Sequence, residues 1–315
     1  MHTMELGNRF DAYSPKEMAR KAVTVGVGKV NLDFGRTFAL AALAGAFIAL
    51  GACFFTTAVT GVPAALIGPA RLVGGLAFSL GLILVVVGGA ELFTGNSLIL
   101  MAFFSGKVSF GRLMRNWTIV YVGNFAGSLL IVALVYFAWQ WKMGECAVGA
   151  MAYGCAAKKM SLPFWTAFCS GVLCNLLVCL AVWLCYGARS VGDKILAIIF
   201  PITAFVALGF EHSVANMYFI PYGLLLAKTG EFTSSPVASS TVAKFAPSFF
   251  TIPHFVVNNL IPVTLGNIVG GGLLVGAIYW FAYLRGESEE PAPDYALARA
   301  DTKPELACHS LNSQS

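Results

Sequence analysis

The chain has 315 residues, of which 58% are hydrophobic and only 11% charged, with a net charge of +5. A soluble domain carries roughly 25% charged residues, and its surface-to-volume ratio leaves no room to hide this much apolar side chain from water. An ordinary soluble enzyme is excluded, and so is a nucleic-acid binder, because the positive charges gather into no basic patch.

Residues 1–35 are rich in charge and contain no apolar run of the kind a signal peptide needs. Ser14-Pro15-Lys16-Glu17 reads as a helix start, and Met18, Ala22 and Val25 follow at helical spacing. This predicts an amphipathic N-terminal helix on the cytoplasmic side, lying at the membrane surface or packed plainly on the bundle.

Beyond it, the stretches 37–70, 116–141, 160–188 and 245–284 contain no charge. The stretches 72–106 and 195–227 are each interrupted by one acid, Glu91 and Glu211. A spanning helix needs about 20 apolar residues, so six spans are predicted within 36–285, in halves of about 36–141 and 160–285. An even number puts both termini on one side. If that side is the cytoplasm, it receives 14 of the 20 lysines and arginines, which matches the positive-inside bias. The acidic, proline-containing segment 286–315 reads as a disordered cytoplasmic tail.

Eight cysteines form no metal pattern, and no metal or cofactor is expected. Cys146 and Cys155 share the loop between the halves, either as a disulfide or as two free thiols.

Two motifs recur in order. Glu91-Leu92-Phe93-Thr94-Gly95-Asn96 and Glu211-His212-Ser213-Val214-Ala215-Asn216 are both Glu-x4-Asn, on the second span of each half. Gly123-Asn124-Phe125-Ala126-Gly127 and Gly266-Asn267-Ile268-Val269-Gly270 are both Gly-Asn-x-x-Gly, on the third. Three spans per half oppose the halves in the membrane, so an all-α, three-plus-three inverted repeat is predicted. Charges and irregular backbone survive at depth only where they face protein or a cavity. The two Glu-x4-Asn segments are therefore expected to be paired helix breaks, the first at the Thr94-Gly95-Asn96 step, whose amides favour anionic groups. His212 is the one histidine at mid-span, beside Glu211, and is the candidate proton-exchanging group.

These residues resemble the formate/nitrite transporter family, in particular its bacterial formate channels, over about residues 10–285. The most specific stretches are Gly74 to Gly81, Glu91 to Gly95, Gly209 to Asn216, and Asn259 to Thr264. The resemblance implies an aquaporin-like bundle assembled as a homopentamer in a bacterial inner membrane, with one pore per subunit. It implies that His212 is the central pore histidine and Thr94 the threonine on the broken second span. Phe78, Leu82, Phe93 and Phe205 match the apolar constrictions, and Leu92 borders Phe93. Lys159 matches a lysine that draws anions to the pore, and Asn175 and Asn216 match polar partners near the histidine. Phe78 and Leu82 are four apart and share one helical face.

The expected function is passage of formate or a similar small monovalent anion, entering as the anion and crossing as the neutral acid. Nitrite, hydrosulfide, acetate and lactate are rivals within the family; a water or ammonia channel is a third reading. An intramembrane serine protease is a distant alternative, since Ser213 is merely adjacent to His212 and no G-x-S-x-G elbow is present. Besides membrane lipid, the partner expected is a further copy of the chain. Gly45, Gly270 and Gly276 on spans one and six are expected to let subunits approach closely.

Overall fold

The computed structural model describes residues 12–230 and 244–286, and every regular element among them is helical. One compact unit is Met1–Leu284; of the second, Arg285–Ser315, only the first two residues are described. Apart from Gly286, the expected tail lies outside the described residues.

Helix α1 (Pro15–Asn31) starts on a reciprocal cap. The Glu17 carboxylate accepts from the Ser14 backbone N–H at 2.8 Å, and the Glu17 N–H donates back to Ser14 Oγ at 3.4 Å. The hydrogen bonds from Ser14 hold the Glu17 carboxyl below its ordinary range. One face of α1, formed by Met18, Ala19, Ala22, Gly26 and Val30, is buried. Gly26 lets it lie against Ile99 and Ala102. The helix is thus packed on the bundle, with Lys21 Nζ donating to the Tyr186 carbonyl at 3.0 Å.

Six helical segments are long and apolar enough to cross a membrane. They are α2 (Phe34–Val59), the segment Ala64–Gly88 that holds α3 (Ile67–Gly88), α5 (Phe110–Phe137), α7 (Phe164–Gly187), α8 (Val191–Leu208) and α10 (Ile252–Tyr283). The shorter α4 (Ile99–Phe104), α6 (Ala147–Met160) and α9 (Ser213–Thr229) complete the order. Helix α10 contains two π-helical stretches, Phe255–Leu260 and Ile268–Ala277. Phe54, Leu130 and Phe200 face outward and are exposed, as lipid-facing residues are.

Small residues hold the spans together within the subunit. A methyl group on Gly45 would collide with the Asn124 carbonyl on α5, and one on Gly127 with that of Ala42 on α2. Gly266 and Gly270 on α10 meet the carbonyls of Phe168 and Val172 on α7 in the same way. Gly276 neighbours Gly271, Met101 and Leu100. The assignment of Gly45, Gly270 and Gly276 to contacts between subunits is therefore corrected: these glycines are consumed inside one chain.

Of the two readings open for the cysteines between the halves the structure takes the second, and one further expectation is corrected. Cys146 and Cys155 are free thiols. Cys146 caps α6 and Cys155 lies nine residues along it, about 13 Å away at helical rise, beyond disulfide reach. The first helix interruption does not open at Thr94-Gly95-Asn96, since Gly95 lies in a right-handed 3-10 turn, Gly95–Leu98. Helix α3 instead ends at Gly89, whose φ of +77° an L side chain rarely adopts, and α8 ends likewise at Gly209, φ +75°. After these glycines the chain runs non-helically through 90–94 and 210–212.

Candidate functional site

The two interruptions are stitched to their surroundings by matching bonds. The Glu91 N–H donates to the Leu40 carbonyl at 3.2 Å, and the Glu211 N–H to that of Ser170 at 3.4 Å. Asn124 Oδ1 accepts from the Phe93 N–H at 2.9 Å, while its amide nitrogen donates to the carbonyls of Ala41 and Glu91 at 2.8 and 2.9 Å. Asn267 Oδ1 accepts from the Ser213 N–H at 2.9 Å, and its nitrogen donates to the carbonyls of Gly171 and Glu211 at 2.8 and 3.0 Å. Each asparagine thus satisfies backbone groups that the missing helix leaves open.

Each interruption also buries a carboxylate with an ammonium. Lys29 and Glu91 are 2.9 Å apart, as are Lys159 and Glu211. Asn96 Nδ2 donates to Glu91 at 2.7 Å and to Asn116 Oδ1 at 2.9 Å. Asn216 Nδ2 donates to Glu211 and to Asn259 Oδ1, both at 2.7 Å. Both glutamates are about 95% buried, so their charges are tolerable only because they are paired and hydrogen-bonded. Lys29 and Asn116 were not singled out from sequence, and Asn259 entered only as the first residue of a stretch that carries the family resemblance. A signal for Lys29 exists: an acid at mid-membrane demands a cation, and α1 supplies one.

His212, Thr94, Asn175, Asn216 and Glu211 all come together in the buried centre. His212 caps α9, and its Nδ1 accepts the Ala215 N–H at 2.9 Å. A neutral ring so held carries its hydrogen on Nε2, which lies 3.0 Å from Thr94 Oγ1. Asn175 Nδ2 donates to the Asn267 carbonyl at 2.6 Å and to that of Thr94 at 3.2 Å. Asn175 therefore ties the first interruption to α7 and α10.

Two cavities approach this centre from opposite ends. The proximal one, about 480 Å³ and beside α1, is lined by Lys29, Glu91, Asn96, Leu82 and Leu92 among others. The distal one, about 540 Å³, is lined by Lys159, Glu211, His212, Phe78 and Phe205 among others. The Phe78 and Phe205 rings meet edge-to-face at 5.6 Å, and Phe205 stacks on the His212 ring at 5.9 Å. The apolar residues thus divide, Leu82 and Leu92 to one cavity, Phe78 and Phe205 to the other. Phe93 lines neither: its ring packs on Tyr121 and Trp117, at 4.8 and 5.9 Å. Its backbone N–H is held by Asn124 and its ring turns into α5. Among the described residues, no group of His, Cys, Asp and Glu is arranged to hold a metal ion.

Residues 16–281 match the family model described as formate/nitrite transporter. The chain is 44% identical to the formate channel FocA of Escherichia coli K12 over 284 residues, covering 90% of this chain and 98% of that one. It is 37% identical to a probable formate transporter of Methanothermobacter thermautotrophicus, covering 86% and 97% of the two chains. A solved pentameric formate channel with formate bound superposes with a TM-score of 0.74 at 43% identity, covering 80% of this chain and 98% of that chain. An FNT family ion channel superposes at 0.71 with 27% identity, covering 84% and 98%.

Proposed function

The chain belongs to the formate/nitrite transporter family, and from that premise we propose that it is a membrane channel for formate, crossing as the neutral acid. The observation that carries this reading is the His212–Thr94 hydrogen bond, buried between two cavities that are each lined by a lysine–glutamate pair. The relatives' names point to formate as the substrate.

Magnitudes favour a neutral crossing. Moving an ion into a low-dielectric constriction costs several kcal/mol even after relaxation. Protonating a small acid with a pKa of roughly 4 costs about 4 kcal/mol at pH 7, three units at 1.36 kcal/mol each. Neutralisation is therefore competitive with carrying the bare charge. An anion entering the distal cavity meets the Lys159 ammonium as a charged donor, and His212 Nε2–H with the Thr94 hydroxyl forms the exchange point beyond it. The ring gives up Nε2–H only as an imidazolium: a proton from water first binds Nδ1, which releases the Ala215 N–H, and Nε2–H then passes to the carboxylate oxygen, leaving a neutral ring and formic acid. Phe78 and Phe205 on one side, Leu82 and Leu92 on the other, keep the exchange point dry. Glu211, Asn216 and Asn175 hold the segment that carries the ring.

The same reading makes the assembly a homopentamer of halves inverted in the membrane. It places both termini in the cytoplasm of a bacterial cell, with α1 on the inner face and the distal cavity outside. Labelled-formate uptake into proteoliposomes, competed with nitrite, hydrosulfide, acetate and lactate, tests the substrate. Saturable formate flux that the others inhibit only weakly supports the reading, and preference for another anion reassigns the substrate within the family. A five-subunit mass in mild detergent supports the assembly; a stable monomer contradicts it.

A further inference from the structure

The two paired lysines, Lys29 and Lys159, cannot supply much long-range attraction, because each is 2.9 Å from a carboxylate. Such a pair is a dipole, and its field falls faster with distance than that of a lone charge. The surplus charge of each cavity lies elsewhere. Arg71 and Lys158 also line the distal cavity, and both are exposed. Lys21 and Lys194 also line the proximal one, and both are half-buried. Each cavity is therefore lined by three cations against one carboxylate, an excess of two positive charges.

Arg71 is held in place. Its Nη1 donates to the Ala207 carbonyl at 2.8 Å, at the end of α8. A methyl group added to Gly209 would lie 3.1 Å from the same nitrogen. The guanidinium thus sits over the interruption that carries Glu211 and His212. At the other mouth, burial together with neighbouring Lys194 and Arg189 holds the Lys21 ammonium below the usual lysine range. Cations gathered at a cavity mouth raise the local concentration of anions there.

We propose that Arg71 with Lys158, and Lys21 with Lys194, form two cationic collars that capture small monovalent anions, leaving Lys29 and Lys159 to short-range hand-over. This rests on the anion-channel reading above. The collars act over about 10 Å at 0.1 M salt and only about 3 Å at 1 M.

The test measures initial formate uptake at sub-saturating concentration into vesicles of neutral lipid whose channels present the distal mouth outward. Wild type, R71Q/K158Q and R71K are compared at 10 mM and 1 M salt. The double variant is expected to lose about fivefold in rate at 10 mM, from two unit charges acting through water, and to match wild type at 1 M. R71K, which keeps the charge without the guanidinium fork, retains the wild-type salt dependence. K21Q/K194Q is expected to show the same salt-dependent loss with the proximal mouth outward. Wild-type uptake by the double variants at 10 mM overturns the proposal. So does a loss of equal size at both salt concentrations, which marks a structural defect. Wild type that passes no small anion at either salt overturns the channel reading itself, and the collars with it.

Discussion

Glu91 and Glu211 stand at the centre of two hydrogen-bonded clusters that correspond almost bond for bond, yet the residue after each glutamate differs completely. On one side it is Leu92, lining the proximal cavity; on the other it is His212, lining the distal one. The lysine, the two asparagines on neighbouring helices and the backbone-bridging Asn124 or Asn267 recur in both. What recurs is therefore the machinery for burying an interrupted helix, and what does not recur is the titratable ring. The cations also arrive alike. Lys29 stands near the end of α1 and Lys159 near the end of α6, each in the short helix that leads into the first span of its half, and Lys29 additionally donates to Asn96.

If the clusters are equivalent scaffolds, breaking either should cost alike. Glu91→Ala and Glu211→Ala each leave a partly buried ammonium without its carboxylate, and each is expected to lose about 3–5 kcal/mol of stability. Thermal unfolding in detergent checks this, and losses differing by more than twofold break the equivalence. The next largest effect belongs to the bridging asparagines. Asn124→Ala and Asn267→Ala each strand one buried N–H and two carbonyls, at about 3 kcal/mol in total, again equally on the two sides.

How much of this was legible in the sequence depends on whether a feature is local. The six spans were, because charge-free runs of sufficient length have no other stable environment. Both motif pairs were, since their spacing lies within one segment. The position of the interruption was also written locally but misread: Gly89 and Gly209 each stand two residues before the glutamate, a shared Gly-x-Glu that marks the left-handed stop better than Gly95 does. Glu91 calls for a cation, but which one was not legible, because Lys29 sits in a charged helix 62 positions from its partner. Asn116 and Asn259 are ordinary polar residues until the helices meet. The direction of the Phe93 ring follows from the backbone bond to Asn124, which no spacing rule encodes.

The comparison sharpens at the constriction. Phe205 stacks on His212, whereas Leu92 has no ring to offer, so Phe205→Ala should widen only the distal side. Acetate and lactate flux should rise relative to formate; an unchanged order in both Phe205→Ala and Phe78→Ala makes these rings packing alone. The smallest effect concerns the helix that delivers Lys29. Ser14→Ala removes a cap worth about 1 kcal/mol to α1. Because Ser14 holds the Glu17 carboxyl low, the cap is complete above the ordinary carboxylate range and is lost as the pH falls through Glu17's lowered pKa. Proteolytic sensitivity of α1, compared at neutral pH and near pH 3, reads both changes.

The asymmetry between Leu92 and His212 is tested most directly by the current that formate carries. Wild-type flux should be electrically silent and pH-dependent, since the substrate crosses with its proton. His212→Asn keeps a polar side chain of similar size but exchanges no proton near neutral pH; Glu211→Gln, measured in parallel, controls for the neighbouring carboxylate. In planar bilayers, His212→Asn is expected either to pass no formate or to pass the bare anion as a measurable current without the wild-type pH dependence. Wild-type flux through His212→Asn, still silent and still pH-dependent, would contradict the proton-exchange account and leave His212 as a helix cap.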